Sequence, residues 1–248
     1  MSRFQILTAA EMEAARESGR ILRSCLEEVS RRAVPGVTTG ELDRIAEDFI
    51  RSHGGEPAFK GYHGYPASLC VSVNDECVHG IPGARIVKEG DVIGLDCGVF
   101  FGGICTDACR TVIAGDASPR AAELVAATSR ALEDACAIIR SGIRVGDISS
   151  RVQHSVEGAG FKCVYALTGH GLGKTLHQYP DIPNVGEAHT GPMVPAYTLL
   201  AVEPITSMGS DAIREGDDGW TIHTRDGAVA AHFEHTVLVL PEGHEILA

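Results

Sequence analysis

Acidic side chains stand at the ends of apolar runs in this sequence, where a buried charge would be costly. The pattern occurs three times: Asp96 follows Val92–Leu95, Glu203 follows Thr198–Val202, and Glu234 precedes the strand-like run His235–Leu240. A carboxylate at the end of a buried strand is unfavourable unless a cation or hydrogen bonds pair with it. These segments contain no Lys or Arg that could do so, and the pattern therefore indicates a bound metal.

Two further residues extend this candidate metal site. Asp107 lies 11 positions after Asp96 across a predicted hairpin, and we expect the two carboxylates to lie opposite each other on facing strands. His170 lies in the glycine-rich run Thr168–Lys174, whose glycines we interpret as allowing the backbone to approach a ligand closely. Four carboxylates and one imidazole suit Mn(II), Fe(II) or Co(II) better than a structural zinc site, which would use thiolates. The residues alone predict a two-metal hydrolytic centre and leave the substrate class open.

Composition restricts the classes of function. A hydrophobic content of 44% and a charged content of 22% in 248 residues are usual for a globular protein. The formal net charge of −12 argues against a nucleic-acid partner and against an anionic membrane surface. No apolar run reaches the roughly 18 residues of a transmembrane helix, and Met1–Gln5 does not resemble a signal peptide, which predicts a cytoplasmic protein. The eight cysteines form no C-x-x-C pair, and we expect them to be reduced thiols.

Local patterns predict an α+β protein with a mixed or antiparallel sheet. Capping-box patterns begin at Thr8 and Thr38, and Asp147 is the predicted cap of a later helix. The predicted helices are 8–32, 38–53, 118–140 and 147–157; the predicted strands are 68–73, 92–101, 110–114, 199–203, 221–223, 228–230 and 233–240. No linker interrupts the chain, and the order of the elements indicates two weakly repeated αβ halves.

Six segments, taken together, resemble those of type I methionine aminopeptidases, and they occur in the order and spacing of that family. They are Tyr62–Pro66, Asn74–Gly83, Leu95–Val99, Gly169–Gly173, Val202–Pro204 and Phe233–Thr236. The resemblance covers nearly the whole chain and implies the pita-bread fold, in which a pseudo-twofold axis relates two αβ halves around a dinuclear metal site. The chain is most similar to the compact bacterial form, with residues 1–248 as a single catalytic domain.

The resemblance implies an enzyme that removes the initiator methionine from nascent polypeptides when the second residue is small. A metal-bound hydroxide would attack the first peptide bond, with two divalent ions (Co2+, Mn2+, Fe2+ or Zn2+) as cofactors. By position, Asp96 would chelate one ion, and Asp107 and Glu234 would bridge the two. His170 and Glu203 would complete the shell of the other ion. The implied partners are nascent chains that begin with Met and, transiently, the ribosome, and the protein would act as a monomer.

The same resemblance assigns roles in catalysis and substrate binding. Glu203 would pass a proton to the leaving amine, and His79 and His177 would bind the substrate amide and stabilise its oxyanion. The methionine side chain would occupy a pocket of aromatic, apolar and thiol groups, with His63 at its rim: Phe59, Tyr62, Tyr65, Cys70, Leu176 and Trp220.

The chain departs from the family pattern at several positions. Ala108 replaces a Thr, and we expect the lost hydroxyl to weaken the support of Asp107. Phe59 and Leu176 stand where Cys and an aromatic residue are often found, which would change the shape of the pocket. Gln178 stands where an acid is common.

Two other interpretations compete with the aminopeptidase. An Xaa-Pro aminopeptidase or prolidase would share the fold, but it usually carries a separate N-terminal domain that 248 residues do not accommodate. Some members of the fold have lost their ligands and act as binding modules. The presence of all five predicted ligands, together with His79 and His177, argues against a binding module.

Overall fold

The computed structural model describes residues 3–248; Met1 and Ser2, which belong to the segment compared with a signal peptide, lie outside the described residues. Within this range the helices are α1 (Ala9–Arg32), α2 (Thr39–Ser52), α3 (Pro119–Cys136) and α4 (Val145–Gly158). The strands are β1 (Glu56–Pro57), β2 (Leu69–Val73), β3 (Glu76–Val78), β4 (Val92–Phe101), β5 (Ile104–Ile113), β6 (Lys162–Cys163), β7 (Thr168–Leu172), β8 (Gln178–Pro183), β9 (Leu199–Val202), β10 (Ile205–Ser207), β11 (Ile213–Glu215), β12 (Ile222–Thr224), β13 (Ala230–His232), β14 (His235–Val239) and β15 (His244–Ile246). None of the helices in this range is long and apolar enough to cross a membrane.

The helix starts follow from side-chain caps. The Thr8 hydroxyl accepts a hydrogen bond from the Glu11 N–H at 3.3 Å, and the Glu11 carboxylate accepts one from the Thr8 N–H at 2.8 Å, which confirms the predicted capping box. Helix α2 has the same arrangement at its start. The predicted cap of α4 is wrong by three residues, because the N-cap is Arg144. Asp147 lies inside the first turn, and its carboxylate accepts the Arg144 N–H at 3.0 Å.

The hairpin of β4 and β5 turns at Gly102-Gly103, as predicted, but β5 begins at Ile104 rather than at Arg110. Both glycines have positive φ, 58° and 78°, which suits a two-residue hairpin turn. This turn sets a register in which Asp96 faces Cys109 and Asp107 faces Gly98. The two carboxylates are therefore diagonal neighbours on one face, and the prediction that they lie directly opposite each other is wrong. They also lie within strands rather than at strand ends.

Each half of the chain packs a pair of helices against its own sheet. Helices α1 and α2 cover β2 and β4, and α3 and α4 cover β6, β9 and β14, with one buried apolar cluster in each half. The turn before the second helix of each pair repeats the same contacts. The Gly36 N–H donates to the Val87 carbonyl at 2.9 Å, and the Gly142 N–H donates to the Val194 carbonyl at 2.8 Å. This repeat supports the predicted relation between two αβ halves.

Residues 230–239 form the strand segment that joins the halves, and we call it the junction strand. On one side it pairs antiparallel with β9 and β10 in one continuous register, since Val202 faces His235 and Ile205 faces His232. Glu203 and Glu234 occupy the break between the two short ladders, where Pro204 has no N–H to donate.

On its other side the junction strand is held by β5. The Glu234 N–H donates to the Cys109 carbonyl at 2.9 Å. The Thr236 hydroxyl accepts from the Asp107 N–H at 2.8 Å and donates to the Asp107 carbonyl at 2.7 Å. The backbone of one candidate metal ligand is thereby fixed by a side chain from the other half.

We predict that Thr236→Val lowers the free energy of unfolding by about 2–4 kcal/mol, because it leaves the buried N–H and carbonyl of Asp107 without partners. Thr236→Ser is the matched control: it keeps the hydroxyl and should lose only about 1 kcal/mol with its methyl group. Urea denaturation of both variants measures the difference. Equal losses in the two variants would show that the hydroxyl does not hold the junction.

Candidate active site

The candidate site residues line one cavity of about 620 Å³ between the two halves. The cavity brings together every residue that the sequence predicts for metal binding, catalysis and substrate binding: Phe59, Tyr62, His63, Tyr65, Cys70, His79, Asp96, Asp107, His170, Leu176, His177, Glu203, Trp220 and Glu234. Their roles remain predictions at this point. Their proximity results from the tertiary structure, because they come from positions 59 to 234 of the chain.

The four acids enter the cavity from different strands. Asp96 lies on β4 and Asp107 on β5, while Glu203 follows β9 and Glu234 precedes β14. All four are nearly inaccessible: the exposed fraction is 8% for Asp96, 3% for Asp107 and 2% for Glu234, and 11% for the side chain of Glu203. No Lys or Arg lines the cavity within the described part of the chain.

His170 lies on β7, a strand that the sequence analysis did not predict. The flanking glycines serve the sheet rather than a ligand: a Cβ at Gly169 would lie 2.4 Å from the Ala201 carbonyl oxygen, and one at Gly171 would lie 2.3 Å from that of Tyr179. The imidazole Nδ1–H donates to the Gly171 carbonyl at 2.9 Å. In this tautomer Nε2 carries no proton, and its lone pair is free to bind a metal. Nε2 lies 3.6 Å from Oε1 of Glu203 and 4.0 Å from Oδ2 of Asp107.

The acids lie close together, repel one another and are largely shielded from solvent. Burial raises the pKa of Asp96 to about 7. Burial, followed by the neighbouring acid Asp96, raises the pKa of Asp107 and of Glu203 well above the ordinary range. Burial and the charges of Asp107 and Glu203 do the same to Glu234. A divalent cation would remove both causes, because it supplies the missing opposite charge.

Unsatisfied atoms test whether a metal fits this site. Asp96 Oδ1, Asp107 Oδ1 and Glu234 Oε1 are buried and have no hydrogen-bond partner. Donor atoms of Asp107, His170 and Glu234 all lie within 4.8 Å of one another, a group that could hold one ion. Buried polar atoms are rarely left without partners, so these orphaned oxygens fit metal ligation. Carboxylate oxygens with an imidazole form a donor set for a divalent ion such as Mn(II) or Fe(II).

Two further imidazoles stand beside the acids. His79 follows β3 with a positive φ of 59°, and burial lowers its pKa, which keeps the ring neutral. His177 precedes β8, and its Nδ1 lies 3.0 Å from the Tyr62 hydroxyl. Its ring packs edge-on against His170 with centroids 4.2 Å apart. Both rings can therefore present a neutral N–H to a group in the cavity.

The wall next to the acids is apolar. Phe59, Tyr65, Cys70 and Leu176 are buried together, and Tyr62 and Trp220 pack against them. Burial and then the Asp96 charge raise the pKa of the Cys70 thiol well above its usual value, so the thiol stays neutral. The wall has no cationic side chain among the described residues and combines aromatic rings with one sulfur.

Two of the departures from the family pattern, Phe59 and Ala108, have local explanations. A Cβ at Gly98 would come within 2.9 Å of the Phe59 ring. The Phe59 ring therefore packs against Gly98, where any residue with a side chain would clash with it. Ala108 points away from the acids into the core under α1 and α2. The backbone of Asp107 is held by Thr236 instead.

Among the cavity residues that sequence reasoning missed, His232 stands beside the acids. It is 3% exposed, lines the same cavity, and leaves its Nε2 without a hydrogen-bond partner. Nε2 lies 3.5 Å from Oε2 of Glu203. The signal that could have found it is strand alternation, since His232 lies two positions before Glu234 and faces the same side.

Comparison with known proteins identifies the family to which this geometry belongs. A model of metallopeptidase family M24 matches residues 13–241. The methionine aminopeptidase of Clostridium perfringens is 44% identical over 237 residues, which cover 96% of this chain and 95% of that protein. The chain belongs to the methionine aminopeptidases of family M24. It is therefore a metallopeptidase, a hydrolase of the aminopeptidase class, and its donor set agrees with a divalent metal as cofactor.

Solved structures confirm the predicted fold. The crystal structure of the methionine aminopeptidase from Thermotoga maritima matches with a TM-score of 0.97 at 40% identity and covers 99% of each chain. The prolidase from Pyrococcus furiosus matches with a TM-score of 0.80 at 18% identity, over 98% of this chain and 64% of that one. The second match shows the shared pita-bread fold alone. The sequence identity places this chain with the methionine aminopeptidases rather than with the rival prolidases.

We predict that the metal-free protein loses stability as the pH rises from about 4 to about 7. The unfolded chain releases the Asp96 proton near pH 4, whereas the folded protein keeps it until about pH 7. Between these values the folded state binds more protons, so the free energy of unfolding falls with rising pH, by about 1.4 kcal/mol for each unit of difference. A saturating divalent metal should offset this loss.

The measurement is the melting temperature against pH in EDTA and in excess Mn(II). Asp96→Asn is the control: its amide does not ionise, so its EDTA curve should fall less steeply than that of the wild type, and the remaining slope comes from Asp107, Glu203 and Glu234. A wild-type curve in EDTA that is as flat as that of Asp96→Asn would contradict the assigned cost of the buried acids.

Proposed function

We propose that this chain removes the N-terminal methionine from polypeptides whose second residue is small. The observation that carries the proposal is the meeting of five metal-ligand candidates, drawn from both halves, beside an apolar pocket with a buried thiol. The relatives' names, methionine aminopeptidase, support the same reaction. Because the ligand candidates come from both halves, we also propose that residues 1–248 act as a single catalytic domain.

We propose two divalent ions in the site. Asp96 would hold one of them, Asp107 and Glu234 would bridge both, and His170 with Glu203 would complete the shell of the other. The orphaned oxygens of Asp96, Asp107 and Glu234 support these assignments. Such ions lower the pKa of a bound water and polarise the peptide carbonyl. Co2+, Mn2+, Fe2+ and Zn2+ are all candidates, because carboxylate and imidazole donors accept each of them.

Proton transfer is assigned to Glu203. Its Oε1 lies 3.6 Å from Nε2 of His170, so the carboxyl group stands among the ligand candidates, where it can accept a proton from bound water and return it to the leaving amine. Its side chain is more exposed than those of Asp107 and Glu234.

The two neutral imidazoles of His79 and His177 are assigned to the substrate amide. A neutral N–H at the cavity wall can donate to the carbonyl oxygen and bind it more strongly as negative charge develops. The Tyr62 hydroxyl, 3.0 Å from Nδ1 of His177, holds that ring in place. The ring is therefore oriented before substrate binds, which reduces the cost of reaching the transition state.

Selectivity for an N-terminal methionine has two sources in one cavity: the acid cluster recognises the α-amine, and the apolar pocket recognises the side chain. With the ions bound, the site would take up the unprotonated α-amine through its nitrogen lone pair, and only a chain terminus carries this group. The pocket of Phe59, Tyr62, Tyr65, Cys70, Leu176 and Trp220 accepts an unbranched thioether, and His63 stands at its rim. Aromatic rings and a thiol are favourable neighbours for sulfur.

The substrate also implies a cellular setting. Initiator methionines are removed from growing chains, so we propose that the protein acts in the cytoplasm as a monomer and contacts the ribosome transiently. Light scattering on the purified protein tests the monomer, and cosedimentation with ribosomes tests the contact.

A panel of peptides tests the proposed function. We expect cleavage of Met-Ala-Ser, cleavage of Leu-Ala-Ser slower by at least about 100-fold, since the pocket is fitted to the thioether, and no cleavage of an Xaa-Pro peptide. EDTA should abolish cleavage, and Mn(II), Co(II) or Fe(II) should restore it. Asp107→Asn, which keeps the shape of the side chain but not its charge, is the control and should be inactive with every metal. Turnover in EDTA, or preference for the Xaa-Pro peptide, would refute the proposal.

For His177→Ala we predict a fall in kcat of about 10–1,000-fold with a much smaller rise in KM, because its N–H matters most when charge develops on the oxygen. Steady-state kinetics on Met-Ala-Ser measure both constants. His154→Ala, on the exposed surface of α4, is the matched control and should behave like wild type. An unchanged kcat in His177→Ala would remove this residue from the transition state.

A further inference from the structure

We propose that His232 is a positioning residue for Glu203. Its Nε2–H would donate a hydrogen bond to Oε2 of the carboxylate and leave Oε1 to face His170 and the bound ion. This role rests on the proposed function, because Glu203 is the residue to which we assign proton transfer. No role was assigned to His232 above, although it lines the same cavity as the acids.

The first observation is an unsatisfied atom. His232 is 3% exposed, and its Nε2 is buried without a hydrogen-bond partner. Two carboxylate oxygens lie within 4.0 Å of it, Oε2 of Glu203 at 3.5 Å and Oε2 of Glu234 at 4.0 Å. A buried polar nitrogen without a partner is costly, and such an atom in a native structure generally has a functional reason.

The second observation is that the backbone of His232 is rigidly held. Its N–H donates to the Thr111 hydroxyl at 3.0 Å, and its carbonyl accepts from the same hydroxyl at 2.6 Å. On its other side it faces Ile205, two residues beyond Glu203. A diagonal pair of this kind brings long side chains on neighbouring strands into reach of each other.

The two oxygens of Glu203 face two different imidazoles. Oε1 lies 3.6 Å from Nε2 of His170, and Oε2 lies 3.5 Å from Nε2 of His232. His170 belongs to the group of donors that could share one ion, together with Asp107 and Glu234. We therefore assign Oε1 to the ion and Oε2 to His232.

The distance is compatible with this role. A separation of 3.5 Å exceeds an ordinary N–H···O bond, and a shift of about 0.5 Å would bring the pair within range. Once the contact forms, the carboxylate cannot rotate freely about its last bond. It then offers one oxygen to the ion, and its orientation towards the leaving amine is fixed. Groups that orient a metal ligand in this way are typically worth about 10–100-fold in metal affinity or activity.

Three substitutions of His232 test whether its side chain acts as a hydrogen-bond donor or only fills space. Gln places an amide N–H2 at about the reach of Nε2, Asn carries the same amide one bond short, and Leu has comparable size without a donor. Each variant is measured by circular dichroism for folding, by calorimetric titration for Mn(II) affinity, by visible absorption with Co(II), and by kcat and KM on Met-Ala-Ser.

We expect H232L and H232N to lose about 10–100-fold in kcat, with KM within about threefold, and to bind Mn(II) about 10-fold more weakly. H232Q should recover most of both, to within about fivefold of wild type. The Co(II) spectrum of H232Q should match that of the wild type, because the ligands of the ion are unchanged.

Two results would overturn the role. If His232 is itself a metal ligand, H232Q should bind Mn(II) as weakly as H232L, and its Co(II) spectrum should change. If all three variants behave like wild type, Glu203 needs no support from His232. If the wild type cleaves no N-terminal methionine, the proposed function fails, but the order of Mn(II) affinities still tests the contact with Glu203.

Discussion

The junction strand, residues 230–239, is the constraint on which the site depends. It pairs with β9 and β10 on one side and is held by β5 on the other, so it belongs to both halves. Three of the four acids lie where the junction strand meets its neighbours. Asp107 is hydrogen-bonded to Thr236, and Glu234 pairs with Cys109. Glu203 lies opposite Glu234, at the break between the two ladders. A slip of one residue in this register would turn Glu234 away from the cavity, because strand side chains alternate.

The same junction explains how a fold can tolerate so many buried acids. The four carboxylates lie on strands whose backbones are held from both sides, and the surrounding helix–sheet cores consist largely of apolar side chains. The acids cannot move apart or turn to solvent, so their repulsion is relieved only by protons or by metal. Metal affinity, pH and stability are therefore linked in this protein through one set of side chains.

Much of the local structure could be predicted from the sequence. Thr8 and Thr38 define the starts of α1 and α2 because capping is a contact between residues three positions apart. The Gly102-Gly103 turn is equally local. The direct pairing of Asp96 with Asp107 was predicted wrongly, because the second strand was expected to begin at Arg110, whereas it begins at Ile104, directly after the turn, and pairs Asp96 with Cys109. The strand around His170 was missed because its glycines break the apolar pattern, and their close contacts with Ala201 and Tyr179 are long-range.

The sequence by itself determined the chemistry: which acids and imidazoles could bind a metal, and, through motifs in family order, what kind of enzyme they form. Only the tertiary structure decided which of them meet, which atoms are left without partners, and that His232 stands beside Glu203. The physical reason is the separation along the chain between the residues that interact. Capping, turns and alternation act over a few residues, whereas the pairing of β5 with the junction strand joins positions more than 100 residues apart, and no local pattern specifies it.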